Sequence, residues 1–125
     1  MSTYTAASRS AYQKSAVLTA TQEQLIVMLY DGLHRFLFQA ARALKDGNVE
    51  LFHTKLRRAD AIINHLTASL DFERGGTLSE RLHSIYLFCA RHLNEARVQR
   101  DHEAVEKVDE LLGQLRDAWA QIAKL

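Results

Sequence analysis

The chain has 125 residues, enough for one domain, and 47% of them are apolar, so a hydrophobic core is within reach. Its 16 basic and 15 acidic residues leave a formal charge of +1, which argues against nucleic acid held by neutralising many phosphates and against a polybasic membrane anchor. The single cysteine, Cys89, cannot close an internal disulfide; with no apolar leader before Ser15 and no bilayer-spanning run, the expectation is a cytoplasmic protein without stable membrane insertion.

No proline interrupts the chain, so helices are expected to stop only at glycines, caps and polar joints. Residues 1–20 are rich in serine and threonine, with scattered apolar side chains such as Tyr4, Tyr12, Val17 and Leu18. They read as a flexible or loosely docked segment ahead of a helical bundle over 21–125. Helix one is expected from Gln22, behind a capping box of Thr21 and Gln24. Its apolar series Leu25, Leu29, Leu33, Phe36, Ala40, Leu44 runs in steps of three and four to a stop at Gly47.

Asn48 caps helix two, whose stripe is Val49, Phe52, Leu56, Ala59, Ile63, Leu66 and Leu70. After Gly75-Gly76, Thr77 and Glu80 repeat the capping box ahead of helix three, which buries Leu82, Ile85, Cys89, Leu93 and Ala96. Asp101 caps helix four, with the stripe Val105, Val108, Leu112, Leu115, Trp119 and Ile122. Short joints make sequential helices antiparallel neighbours. The expected fold is all-α, an antiparallel up-down four-helix bundle with an N-terminal extension.

Some apolar residues fall outside these stripes. Val27 and Phe38 are 11 residues apart on helix one, close to three turns, and share one line away from its main face. Leu87 and Val98 repeat the spacing on helix three, and Leu51 and Ile62 on helix two, where Ile62 also reads as the shoulder of the core stripe. Isolated surface apolar residues are common, and residues 1–20 folding back would cover them. The functional reading is a groove for a partner's amphipathic helix.

Catalytic and metal chemistry finds little support. Two Glu-x-x-His motifs, Glu50 to His53 and Glu80 to His83, suggest a carboxylate metal centre of the kind built inside bundles. They begin successive antiparallel helices, however, and so fall at opposite ends of the bundle, about 30 Å apart by helix rise; their glutamates suit capping and the helix dipole. His34 and His53 are conceivable phosphoacceptors but carry no accompanying signal, and His92 reads as a packed residue with a hydrogen-bond partner. Cys89 lies in a core stripe and is expected to be inert. Gly32, alone inside a helix, costs about 1 kcal/mol relative to alanine and suggests a close helix contact. Trp119 reads as core. No catalytic residue, metal or cofactor is expected.

The segment Leu25-Ile26-Val27-Met28-Leu29-Tyr30-Asp31-Gly32 resembles the signature of the flagellin-specific chaperone family known as FliS. Ala11-Tyr12-Gln13 and Val17 resemble that family's N-terminal motif. Ala61-Ile62-Ile63 and Leu66 are similar to its second helix, Gly75-Gly76, Leu82, Tyr86, Arg91, Leu93 and Ala96 to its third, and Asp117-Ala118-Trp119 to its fourth. The chain departs from the family pattern at Gln22, His92 and Arg97. The resemblance implies a cytosolic helical bundle that binds the disordered C-terminal segment of flagellin, stops it polymerising early, and helps deliver it to the flagellar export gate. It also implies that the N-terminal segment, through Tyr12, lies over part of the client site and contributes to contact with the gate. The residue patterns themselves supply the bundle, the loose N-terminus and the spare apolar lines. Without the resemblance they describe a generic helical-bundle interaction module.

Overall fold

Local capping chemistry sets most of the helix boundaries. In this computed structural model, which describes residues 18–124 together with Ser8, Ala11, Lys14 and Ser15, four long helices follow one another. Tyr4, Tyr12 and Val17 lie outside the described residues. Helix α1 (Gln22–Lys45) begins with the expected reciprocal cap: Gln24 N–H donates to the Thr21 hydroxyl at 3.1 Å, and Thr21 N–H donates to Gln24 Oε1 at 2.9 Å. It ends where Gly47 takes a φ of +79°, so that Asn48 N–H reaches Ala43 O at 2.8 Å and Gly47 N–H reaches Leu44 O at 3.1 Å. Asn48 then caps α2 (Val49–Ala68), its side-chain oxygen accepting from Leu51 N–H at 3.1 Å.

The third helix starts earlier than the sequence pattern predicts. Helix α3 (Phe72–Gln99) is capped by Asp71, not Thr77; Asp71 Oδ1 accepts from Glu73 and Arg74 N–H, each at 3.1 Å. One turn later the helix breaks direction at Gly76, whose φ of 48° and ψ of −122° lie outside the helical region. Gly75 is equally constrained: a Cβ there would fall 1.9 Å from Ser79 Oγ. The Ser79 hydroxyl donates to Asp71 O at 2.8 Å and ties the first turn back onto the main helix. Helix α4 (His102–Ala123) has its expected cap, Asp101, which accepts from Glu103 and Ala104 N–H. The joint before it turns through Arg100 at a φ of 51°.

The core draws on all four helices. Phe52, Leu56, Ala59, Ile63 and Leu66 of α2 are buried as expected. On α1 the buried sector is Tyr30, Leu33, Leu37, Ala40, Ala41 and Ala43, while Leu29, Phe36 and Leu44 are only partly buried. The sector has rotated because α1 packs against both α2 and α4 and turns the angle between them inward. On α3, Tyr86 takes the interior place expected of Ile85, and on α4 the stripe loosens after Leu112 until Ile122 stands 45% exposed.

Charged pairs run along the seams. Asp31–Arg116, His34–Asp109 and Lys45–Glu106 join α1 to α4 at 2.9, 2.8 and 2.6 Å. Asp60 and Arg97 join α2 to α3. In the α1–α4 pairs the numbers rise on one helix as they fall on the other, as antiparallel neighbours require. The fold is therefore the expected all-α antiparallel bundle. Gly32 differs from its expected role. It is buried beside α2, yet a Cβ there would sit 3.5 Å from Ile62 Cδ1, an ordinary contact, so packing does not demand the glycine.

Candidate partner-binding surfaces

The groups that sequence reading weighed for chemistry are engaged in structural contacts. Cys89 is fully buried, and burial pushes its thiol up to about 11, away from the reactive thiolate. Glu50 and His53 lie in the first turn of α2, while Glu80 and His83 follow the bend of α3. His53 packs against the Phe52 ring and His83 against the Phe72 ring. Among the described residues no three His, Cys, Asp or Glu side chains converge as metal coordination requires. His34 spends its Nδ1 on Asp109. His92 is half-buried against the Phe88 ring, with its Nδ1 donating to Phe88 O at 3.1 Å.

The spare apolar lines do not merge into one groove. Phe38 is 60% exposed, but Val27 is half-buried, and Asp31 and His34 stand between them in the pairs that reach α4. Leu51 is exposed while Ile62 packs onto the core beside Gly32, which makes Ile62 the shoulder of the core stripe. Leu87 and Val98 are both exposed on α3, Val98 at 76%, and Arg91 and Asn94 interrupt their line. These positions occupy three different flanks of the bundle.

A cleft of about 360 Å³ opens instead at one end of the bundle. Its apolar wall comes from Ile26 of α1, Leu66 of α2, Leu78 and Leu82 of α3, and Trp119 of α4, with Leu70 from the α2–α3 joint. Leu78 is 55% exposed, and nearby on the same first turns Phe72 is 49% exposed. Gln22 and Glu23 form part of the rim, so the chain enters α1 at the edge of the cleft. Beneath it Tyr86 meets Tyr30, hydroxyl to hydroxyl, at 2.6 Å, and burial raises the pKa of both phenols. Glu23, Ser69, Asp71, Arg74 and Ser79 complete the polar lining, Asp71 and Ser79 being engaged in the cap of α3, and the apolar wall between them can receive the side chains of a partner. The sequence pattern does not reveal it, because Leu66, Leu82 and Trp119 read as core and Leu70 as the end of a stripe. The available signal was Phe72 and Leu78, two large apolar residues flanking a glycine pair.

A second groove, of about 430 Å³, lies between α1 and α4, with charged and polar side chains outnumbering the apolar ones in its lining. Its Asp31, His34, Asp109 and Arg116 already hold one another across the seam, so it reads as part of the scaffold.

Comparison with known proteins fits this architecture. The family model described as flagellar protein FliS matches residues 4–125. The flagellar secretion chaperone FliS of Salmonella typhimurium is 38% identical over 96% of this chain and 93% of its own length. The Escherichia coli protein of the same name is 37% identical over 86% of this chain and 80% of its own length. That of Bacillus subtilis is 33% identical, covering 90% and 83%. With the match running through every helix of the bundle and the cleft at its end, the chain belongs to the FliS family of flagellar proteins.

Proposed function

We propose that this protein is a cytoplasmic flagellar secretion chaperone. It binds the disordered C-terminal region of flagellin, prevents premature polymerisation and assists delivery to the flagellar export gate. The observation that carries this reading is the family match over residues 4–125; the apolar cleft and the exposed apolar residues on several flanks support it. A client that is disordered when free loses conformational entropy on binding. Wrapping around a rigid bundle offsets that loss by burying a large area in many small contacts. Contacts spread over Phe38, Leu51, Leu87 and Val98, with lesser ones at Val27 and Ile62, suit such wrapping better than they suit a single groove. The work is binding, and no catalytic step is required.

Residues 1–20 form a separate segment in this reading, ahead of the bundle at 21–125. Tyr12 covers apolar client surface until the client displaces it, and the uncovered segment then contributes to the contact with the export gate. The rim position of Gln22 and Glu23 supports the reach of this segment to the cleft.

Calorimetric titration with a flagellin C-terminal peptide tests the proposal. Leu78→Glu puts a charge on the cleft wall at an exposed position, so the bundle should stay folded while affinity falls at least about tenfold. Deleting residues 1–15 should preserve or strengthen binding. Full affinity in Leu78→Glu would remove the cleft from the client site. Loss of binding on truncation, with circular dichroism unchanged, would make the segment part of that site and end the cover role. No binding by the full chain would leave only the generic interaction module.

A further inference from the structure

The charges of this nearly neutral chain are unevenly placed. Residues 32–44 of α1 and 51–59 of α2, which pack together, hold Arg35, Arg42, Lys55, Arg57 and Arg58 and no Asp or Glu. Three of these cations meet at the α1–α2 seam. Lys55 Nζ and the Arg58 guanidinium each lie 5.8 Å from the centre of the half-buried Phe36 ring. The Arg35 guanidinium passes along the Gly32–Ile62 contact, 3.7 Å from where a Gly32 Cβ would stand. None of the three is in an ion pair among the described residues, whereas Arg42, Arg97 and Arg116 all are.

The seam also has a spacing. Leu51, Lys55, Arg58 and Ile62 recur at steps of four, three and four, so they form one line along α2. Met28, 39% exposed, and Leu51, also 39% exposed, provide apolar surface toward the two ends. We propose that this seam is a docking surface for an acidic amphipathic helix of a partner protein, whose paired carboxylates face Lys55, Arg58 and Arg35 while apolar residues on either side rest on Met28, Ile62 and Leu51. The complementary line on the partner reads apolar, acidic, acidic, apolar at the same spacing. Charge decides the sign of the partner, because the three seam cations are unpaired while the nearest acids along the two helices, Asp31 and Asp60, are paired with Arg116 and Arg97, so the seam attracts carboxylates and repels basic helices. The apolar ends decide for protein over nucleic acid, since three cations neutralise too few phosphates to hold a duplex or strand. None of Met28, Arg35, Lys55, Arg58 and Ile62 lines the cleft at the end of the bundle, and the three cations have no part in the flagellin reading, which shares only Leu51 and Ile62 with this surface.

The probe is a fluorescein-labelled helical peptide on an alanine and glutamine background, with Leu, Glu, Glu, Leu at that spacing, beside a twin with Gln for Glu. Fluorescence anisotropy with the full chain should show the acidic peptide binding about tenfold or more tightly than its twin and weakening as salt rises. Arg35→Gln with Arg58→Gln should reduce that affinity about tenfold, with circular dichroism unchanged, because both side chains are exposed and glutamine keeps a good helix propensity. Lys107→Gln with Lys124→Gln makes the same charge change on α4 and beyond it, and should leave binding intact. Equal binding of the two peptides, an equal loss in the α4 pair, or no binding would overturn the proposal. Tighter binding by a uridine oligonucleotide that displaces the peptide would overturn it in favour of nucleic acid.

Discussion

Two phenols meet inside this bundle, and their contact shows why single residues can escape a periodicity argument. Tyr30 and Tyr86 are 56 positions apart, and each is only 2% exposed. An apolar stripe places Ile85 in the core because a phenol needs a polar partner when buried; that partner comes from another helix and is invisible to a local pattern. Burial holds both hydroxyls protonated, so one donates while the other accepts. Tyr30→Phe leaves the Tyr86 hydroxyl buried without its partner and should cost about 1–3 kcal/mol. The double change to Phe removes both polar groups and should lie closer to the wild type than the two single losses added together. Urea melts of the three variants measure this, and additive losses would mean that the hydroxyls are not coupled.

At the scale of helices, what is legible depends on whether an element has one packing neighbour or two and whether its caps are local. The α2 stripe reads correctly from Phe52 to Leu66, and the caps at Thr21, Asn48 and Asp101 read correctly because each uses side chains within three residues. The α1 stripe reads correctly at Leu33 and Ala40 but misses Tyr30, Leu37 and Ala41, because the inward side of α1 is set jointly by α2 and α4. The start of α3 misreads because Thr77 and Glu80 fit a capping box, while Asp71 captures the N–H groups of an extra turn that the Gly76 bend makes possible. That bend also creates the cleft wall, so missing one meant missing the other. A Cβ at Gly76 would touch nothing within 4 Å, so the whole effect of Gly76→Ala is backbone strain at a positive φ. It should lower stability by about 1–3 kcal/mol in a thermal or urea melt. A melt equal to wild type would show that the first turn of α3 rearranges without the bend.

Across the whole molecule, charge and apolar surface are sorted to different places. The α1–α4 seam carries paired charges, the α1–α2 seam carries unpaired cations, and the bundle end carries an apolar recess. Sequence reading found the overall balance of 16 basic and 15 acidic residues, but not this sorting, which depends on which helices become neighbours. The sorting separates two modes of binding by their response to salt. Binding of the flagellin C-terminal segment through the recess and the exposed apolar residues should persist at high salt, because screening acts on charges and leaves apolar burial largely unchanged. It should also show a negative heat-capacity change, the signature of apolar area leaving water. Titration calorimetry at several temperatures and two salt concentrations reads both quantities in one series. A complex that falls apart at modest salt with little heat-capacity change would move the client from the recess to the cationic seam. In that case Leu78→Glu would be silent and Arg35→Gln with Arg58→Gln would abolish binding, so the same two variants that test each surface separately also decide between them.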